Sequence, residues 1–201
     1  DFALSASIAE MRIDYHPKNW LLLHFHARRK DFEADEVCLT SLRAMDCTAR
    51  LIRHSVRLQM EYLHSNSLRV RTRIEAARVR PQTDAGISGS NGFLIFEDIR
   101  WRIAKFARLD FRLTYFDVGS YDARIYAVEN DLLYSFSSPA PHGRGRRGYL
   151  LLTLATSAST SLQLKYADTA YGDVSSIGSG LDEIEGSRLR EVKVQFRWVL
   201  E

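Results

Sequence analysis

Apolar and polar residues alternate along most of this chain. In Met11-Arg12-Ile13-Asp14-Tyr15 the odd positions are apolar and the even ones charged. Leu21, Leu23, Phe25 and Ala27 alternate with Leu22, His24, His26 and Arg28. Val56, Leu58, Met60 and Tyr62 alternate with Arg57, Gln59 and Glu61. Leu68, Val70, Thr72, Ile74 and Ala76 are separated by Arg69, Arg71, Arg73 and Glu75. The same rhythm returns at Ile99–Ile103, Leu109–Tyr115, Leu162–Tyr166 and Val192–Trp198. Period two places successive side chains on opposite faces of a strand. It predicts strands over 8–15, 20–29, 51–62, 68–80, 93–103, 108–117, 148–155, 161–169 and 189–198. Segment 149–155 is apolar on both faces, so the pattern leaves it unoriented.

Short polar connections (His16–Asn19, His64–Ser67, Ala104–Ala107 and Thr156–Thr160) alternate with long ones at about 30–50, 81–92, 118–148 and 170–188. All glycines fall in the last three of these, out of strand interiors where glycine is costly. This is the layout of an all-β, antiparallel up-and-down sheet, and three features make it a transmembrane β-barrel. The strands have the length that a tilted strand needs to cross a bilayer. One face carries long cationic side chains while the other carries large aliphatics and aromatics. Tyr15, Trp20, Tyr62, Trp101 and Trp198 all map to the short-turn end, as a membrane-interface girdle requires. Phe93, Tyr115, Tyr149 and Tyr166 supply a ring at the other end. With no water in hydrocarbon, a spanning sheet must close to satisfy its backbone.

Short turns in such barrels face the periplasm, so the last strand descends and, counting back nine strands, the first descends too. A complete bacterial barrel has an even count. The chain therefore reads as the C-terminal part of a larger barrel, unless residues 2–8 or 122–136 hold another strand. One segment competes with the strand reading: Val37, Leu42, Met45, Ala49, Ile52, Val56, Met60 and Leu63 follow helical spacing. The Arg57–Tyr62 alternation favours a strand from about 51.

With 201 residues the chain makes one domain, 1–201, with no separate second domain. No apolar run approaches the roughly 18 residues of a membrane helix. The Asp-Phe-Ala-Leu-Ser start lacks Met and a signal-peptide core, so it reads as processed or internal. A net charge of +3 is too mild to argue for nucleic acid.

From Asn91-Gly92-Phe93-Leu94-Ile95-Phe96-Glu97-Asp98-Ile99-Arg100-Trp101 onward the order of residues is familiar. It runs through Tyr115-Phe116-Asp117, Ser120–Tyr126, Glu129–Tyr134 and Gly143-Arg144-Gly145 to Ile177–Ile184. Over about 91–198 it resembles the C-terminal region of Bacteroidota helix-hairpin-helix domain-containing outer-membrane proteins. The resemblance implies a barrel following a helix-hairpin-helix region that is not in this chain, so no direct nucleic-acid site carries over. The ending Trp198-Val199-Leu200-Glu201 departs from a terminal aromatic.

The lumen face is predicted to hold Arg57, Arg69, Arg71, Arg73, Arg100, Arg102, Arg112, Lys193 and Arg197, with Arg12, Arg28, Arg53 and Lys165. Rings of such side chains select anions in a pore. The plainer reading, which we prefer, is cross-strand ladders to Glu10, Asp14, Glu61, Glu75, Asp98, Asp110 and Glu191 that stiffen a plugged barrel. His24 and His26 share a strand face, but two ligands do not make a metal site. Cys38 and Cys47 share a predicted outer loop and form a possible disulfide. Arg144, Arg146 and Arg147 sit in a predicted glycine-rich loop suited to phosphate. Asp173, Asp182, Glu183 and Glu185 make an acidic loop without EF-hand spacing. No nucleophile elbow, Walker loop or HExxH occurs.

The expected function is that of a bacterial outer-membrane barrel, structural, pore-forming or envelope-assembly related, with no catalysis, cofactor or metal. Its partners are outer-membrane lipid and the missing N-terminal strands or other envelope proteins. The alternative is a soluble antiparallel β ligand-binding protein of the periplasm or cell surface.

Overall fold

A computed structural model describes residues 6–40, 43–82, 88–157, 159–172, 174–178, 180 and 183–199, and the side chains of 34–49 lie outside that description. The strands are β1 (Ser7–Lys18), β2 (Leu21–Thr40), β3 (Arg43–Ser65), β4 (Leu68–Pro81), β5 (Ser90–Ala104), β6 (Ala107–Val118), β7 (Gly143–Ala155) and β8 (Thr160–Tyr171). They are followed by the two-residue pair β9 (Ser176–Ile177) and β10 (Ile184–Glu185), then by β11 (Arg188–Trp198). A 3-10 turn spans Tyr121–Ala123.

The main sheet has nine strands in the order β1-β2-β3-β4-β5-β6-β7-β8-β11. Every neighbour is antiparallel and, β11 apart, next in sequence, so the fold is an up-and-down meander. The sheet is open among the described residues, with β1 and β11 as its edges. All nine strands read from alternation are present. Register keeps each apolar set on one face: Leu58 lies opposite Ile74, Ile74 opposite Ile95 and Ile95 opposite Tyr115.

Two expectations are corrected. The described residues between 30 and 50 are strand, where the sequence pattern predicts a loop or a competing helix. β2 and β3 continue in unbroken register to Thr40 opposite Arg43. Beyond Ser7 opposite Asp31, Leu51 opposite Pro81 and the Gln82 amide on the Arg50 carbonyl, this ribbon pairs with no further strand among the described residues. A two-stranded ribbon has no buried face to enforce alternation, so the sequence there lacks a strand signal. The backbone register sets Cys38 opposite Met45 and Cys47 opposite Glu36, and both side chains lie outside the described residues. The second correction concerns residues 143–147, predicted as loop, which begin β7 opposite Thr114–Val118. Gly145 is needed because the chain packs closely there, a Cβ overlapping the Ala170 carbonyl and the Phe116 ring, while Gly143 takes a positive φ of 77°.

The two faces differ sharply. Leu58, Ile74, Leu113, Leu150, Val194 and Phe196 stand on a face that none of the described residues covers, and all are exposed. The opposite face is buried from β4 to β8, with Arg73, Glu75, Leu94, Phe96, Asp98, Asp110, Arg112, Tyr149 and Lys165 nearly inaccessible. What buries them is the β6–β7 connection.

Candidate functional site

Residues 119–142 cross the charged face transversely to the strands. After the 3-10 turn the chain is extended and alternates again. Ala123, Ile125, Ala127 and Glu129 turn towards the sheet and are buried, while Tyr126 and Val128 point away and are more than half exposed. Ala123 joins Leu51, Val79 and Val118; Ile125 and Ala127 join Ala77, Leu94 and Phe96; Leu132 joins Tyr149, Leu151 and Ala167. Every buried apolar cluster is thus a contact between sheet and segment. Gly92 permits the approach at one end, because a Cβ there would overlap the Ala123 carbonyl oxygen.

An extended segment off the sheet leaves its carbonyls unpaired, and buried carbonyls need donors. The sheet arginines supply them. Arg53 donates to the carbonyls of Asp122 and Arg124, each at 2.7 Å. Arg73 donates to Tyr126 O at 3.1 Å and Arg112 to Val128 O at 2.9 Å. Arg100 reaches Asn130 Oδ1 at 2.8 Å. Further along, Arg147 on β7 forks onto both Glu129 oxygens at 2.8 and 3.0 Å. Lys165 on β8 lies 3.4 Å from Glu129 and from Asp131, and Lys193 on β11 lies 3.1 Å from Asp131. Gln195 donates to Leu133 O at 3.0 Å. The segment is held by β3, β4, β5, β6, β7, β8 and β11.

Beneath it several cations are matched to strand carboxylates. Arg71 and Arg112 share one oxygen of Asp98, each at 2.5 Å. Arg57 and Arg73 share Glu75. Arg100 and Arg108 hold Asp110 at 2.5 and 3.0 Å. Arg112 also stacks on Phe96, 4.1 Å from its centroid. Of the lumen residues predicted from sequence, Arg57, Arg71, Arg73, Arg100, Arg112 and Lys193 therefore meet carboxylates. Arg69 has Glu61 only at 4.0 Å, while the Arg102 and Arg197 guanidiniums have no ion partner among the described residues. His24 bonds to Asp14, and His26 lies 3.5 Å from Glu10. Among the described residues no group of side chains could hold a metal ion.

Of the residues expected to form a girdle, Tyr15, Trp20, Trp101 and Trp198 are exposed at the short-turn end, and Tyr62 packs edge-on against Trp20 at 5.5 Å. Tyr149, placed with the outer ring from sequence, turns to the charged face and is buried, with the Asn130 amide donating to its hydroxyl at 3.2 Å. The apolar 149–155 run hid that orientation. Arg147 leaves its predicted loop for the charged face. In the acidic loop Asp173 and Asp182 lie outside the described residues.

Glu129, Asn130 and Asp131 escape a sequence reading that treats 118–148 as an outer loop. Their signal was the alternation of Ala123, Ile125 and Ala127, there read only as a competing strand. Burial opposes ionisation of Asp131, but the Leu132 amide, Lys193 and Lys165 outweigh it and hold the carboxyl below its ordinary value. A lowered folded-state value gives stabilisation present above the unfolded value and lost as pH falls through the folded one. Acid titration of segment docking, followed by hydrogen exchange of the Leu132 and Leu133 amides, is expected to show this loss. Asp131→Asn is expected to abolish that contribution.

No protein-family model matches the chain, and no curated protein matches it. Among solved structures, the outer-membrane expressed OmpT of Vibrio cholerae is similar over 97% of this chain with a TM-score of 0.61 and 10% identity. This chain spans 56% of that one. A NanC porin is similar over 97% of this chain and 94% of its own, with a TM-score of 0.44 and 9% identity. The first likeness shows the fold: the meander is that of an outer-membrane β-barrel.

Proposed function

We propose that this chain forms part of the wall of a bacterial outer-membrane β-barrel and that residues 119–142 narrow its lumen, a structural and pore-shaping role without catalysis. One observation carries the reading: the charged face is covered by the chain's own segment, whereas the aliphatic face is bare. A soluble protein rarely leaves so broad an apolar surface open, and hydrocarbon is its natural cover. The charged face is then the lumen. The buried cations serve the segment first. The part left open lies over β1–β3, where Arg12, Asp14, His24, His26, Arg57 and Gln59 line a cavity of about 340 Å³.

β1 and β11 are the open edges of a nine-stranded alternating sheet, so they run in the same direction. Joining them directly would make a parallel pair. An odd number of further strands closes the ring antiparallel, and we assign those to the rest of the barrel.

The test is an arginine on the bare face. Leu113→Arg is expected to lower the unfolding free energy in bilayers by about 2–4 kcal/mol, the cost of a cation near the midplane. Phe136→Arg, on the exposed side of the crossing segment, is expected to cost under about 0.5 kcal/mol. Equal small losses would place the aliphatic face in water and favour the soluble ligand-binding alternative.

A further inference from the structure

We propose that the short-turn end of the charged face binds a soluble, multivalent phosphate-bearing anion through Arg69, Arg100, Arg102 and Arg108. The register sets like charges side by side: Arg69 lies opposite Arg100, and Arg102 opposite Arg108. Such pairs destabilise a sheet unless an anion joins them. The available carboxylates do not suffice. Asp110 serves Arg100 and Arg108, and Glu61 stands 4.0 Å from Arg69. Four guanidiniums thus face two acids, and the Arg102 guanidinium engages neither. Under the crossing segment, by contrast, Arg57, Arg71, Arg73, Arg112 and Arg147 each have a carboxylate.

The four line a pocket of about 690 Å³, with Asn19 and Asn66 from the turns. The side chains of Arg69, Arg100 and Arg108 are 31–39% exposed there, open to a ligand without being free-swinging. Neighbouring strands are about 4.8 Å apart, so guanidiniums on β4, β5 and β6 present forked donors at a spacing that two linked phosphates span. The ligand is a solute and not a lipid headgroup: the four guanidiniums stand on the charged face, Trp101, Ile103 and Leu109 of the same strand ends turn to the other, and Trp20 reaches only the pocket lining beside Asn19. That this pocket opens on the lumen rests on the reading above; the binding itself does not.

The experiment is calorimetric titration of inorganic pyrophosphate into the full chain in detergent. The parent is expected to bind, and Arg69→Gln/Arg102→Gln to bind about tenfold or more weakly. Arg12→Gln, on the edge strand away from the pocket, is expected to bind like the parent. Should the double variant fail to fold, Arg102→Gln alone gives the readout, since that side chain supports no other group. No binding by the parent, or equal binding by the variants, overturns the site. Neither outcome bears on Leu113→Arg, which tests the lipid contact separately.

Discussion

Replacing Glu129 by glutamine is expected to lower the unfolding free energy in bilayers by about 3–5 kcal/mol, the usual cost of stripping one partner from a buried ion pair. The isosteric amide keeps the shape and removes the charge that Arg147 forks onto and Lys165 faces. Arg147 then keeps one neutral amide acceptor and the Thr169 hydroxyl at 2.8 Å, with Glu191 at 3.9 Å as its nearest described carboxylate. Lys165, which is almost wholly buried, keeps Asp131 as its described carboxylate and the Tyr149 ring beneath it. Because the defect is an uncompensated cation, removing the cation should recover part of the loss. Glu129→Gln/Arg147→Gln is expected to be less destabilised than the sum of its single variants, a coupling that a double-mutant cycle measures. Strict additivity, or a Glu129→Gln loss below about 1 kcal/mol, would show that the segment does not depend on this pair.

The second large effect is steric. Gly92→Val is expected to lift the start of the crossing segment off the sheet, because any Cβ at that position overlaps the Ala123 carbonyl oxygen. The obstacle is backbone, which cannot swing aside as a side chain can, so the cost reaches at least the about 1–3 kcal/mol of ordinary overpacking. The readout is a thiol. Cysteine placed at Ile125, wholly buried in the parent, is expected to resist a water-soluble maleimide there and to react in the Gly92→Val background. Gly148→Ala is the control, since a Cβ there makes only ordinary contacts. Unchanged protection in Gly92→Val would mean that the segment docks independently of this approach.

These two positions mark where the sequence was readable. The strands are legible because each buries one face and not the other, and alternation records that difference directly. The identity of Arg57, Arg71, Arg73, Arg100 and Arg112 as one cationic face follows from the same rule. Their partners were only half legible. Glu75, Asp98 and Asp110 lie on the strands and inherit their parity, but Glu129 and Asp131 lie on a connection whose path no period specifies. Gly92 could be read as a loop glycine. Only the neighbouring Ala123 carbonyl explains it, and that contact joins positions 31 residues apart in a way that no local pattern records. The β2–β3 ribbon failed for the opposite reason: its residues are strand, yet no neighbour tells their two sides apart.

The path of the crossing segment also sets an order of events. Its anchors run from Arg53, up to 71 residues away along the chain, to Lys193 and Gln195, each 62 residues from its partner. Those at the far end belong to β11. β8 supplies part of the seat for Asp131 and Leu133 through Lys165 and Gln163, and the seat is complete only once β11 has joined the sheet. Loop closure over such separations is slow compared with hairpin formation. Docking of the segment is thus completed late, and β11 acts as the latch that fixes it.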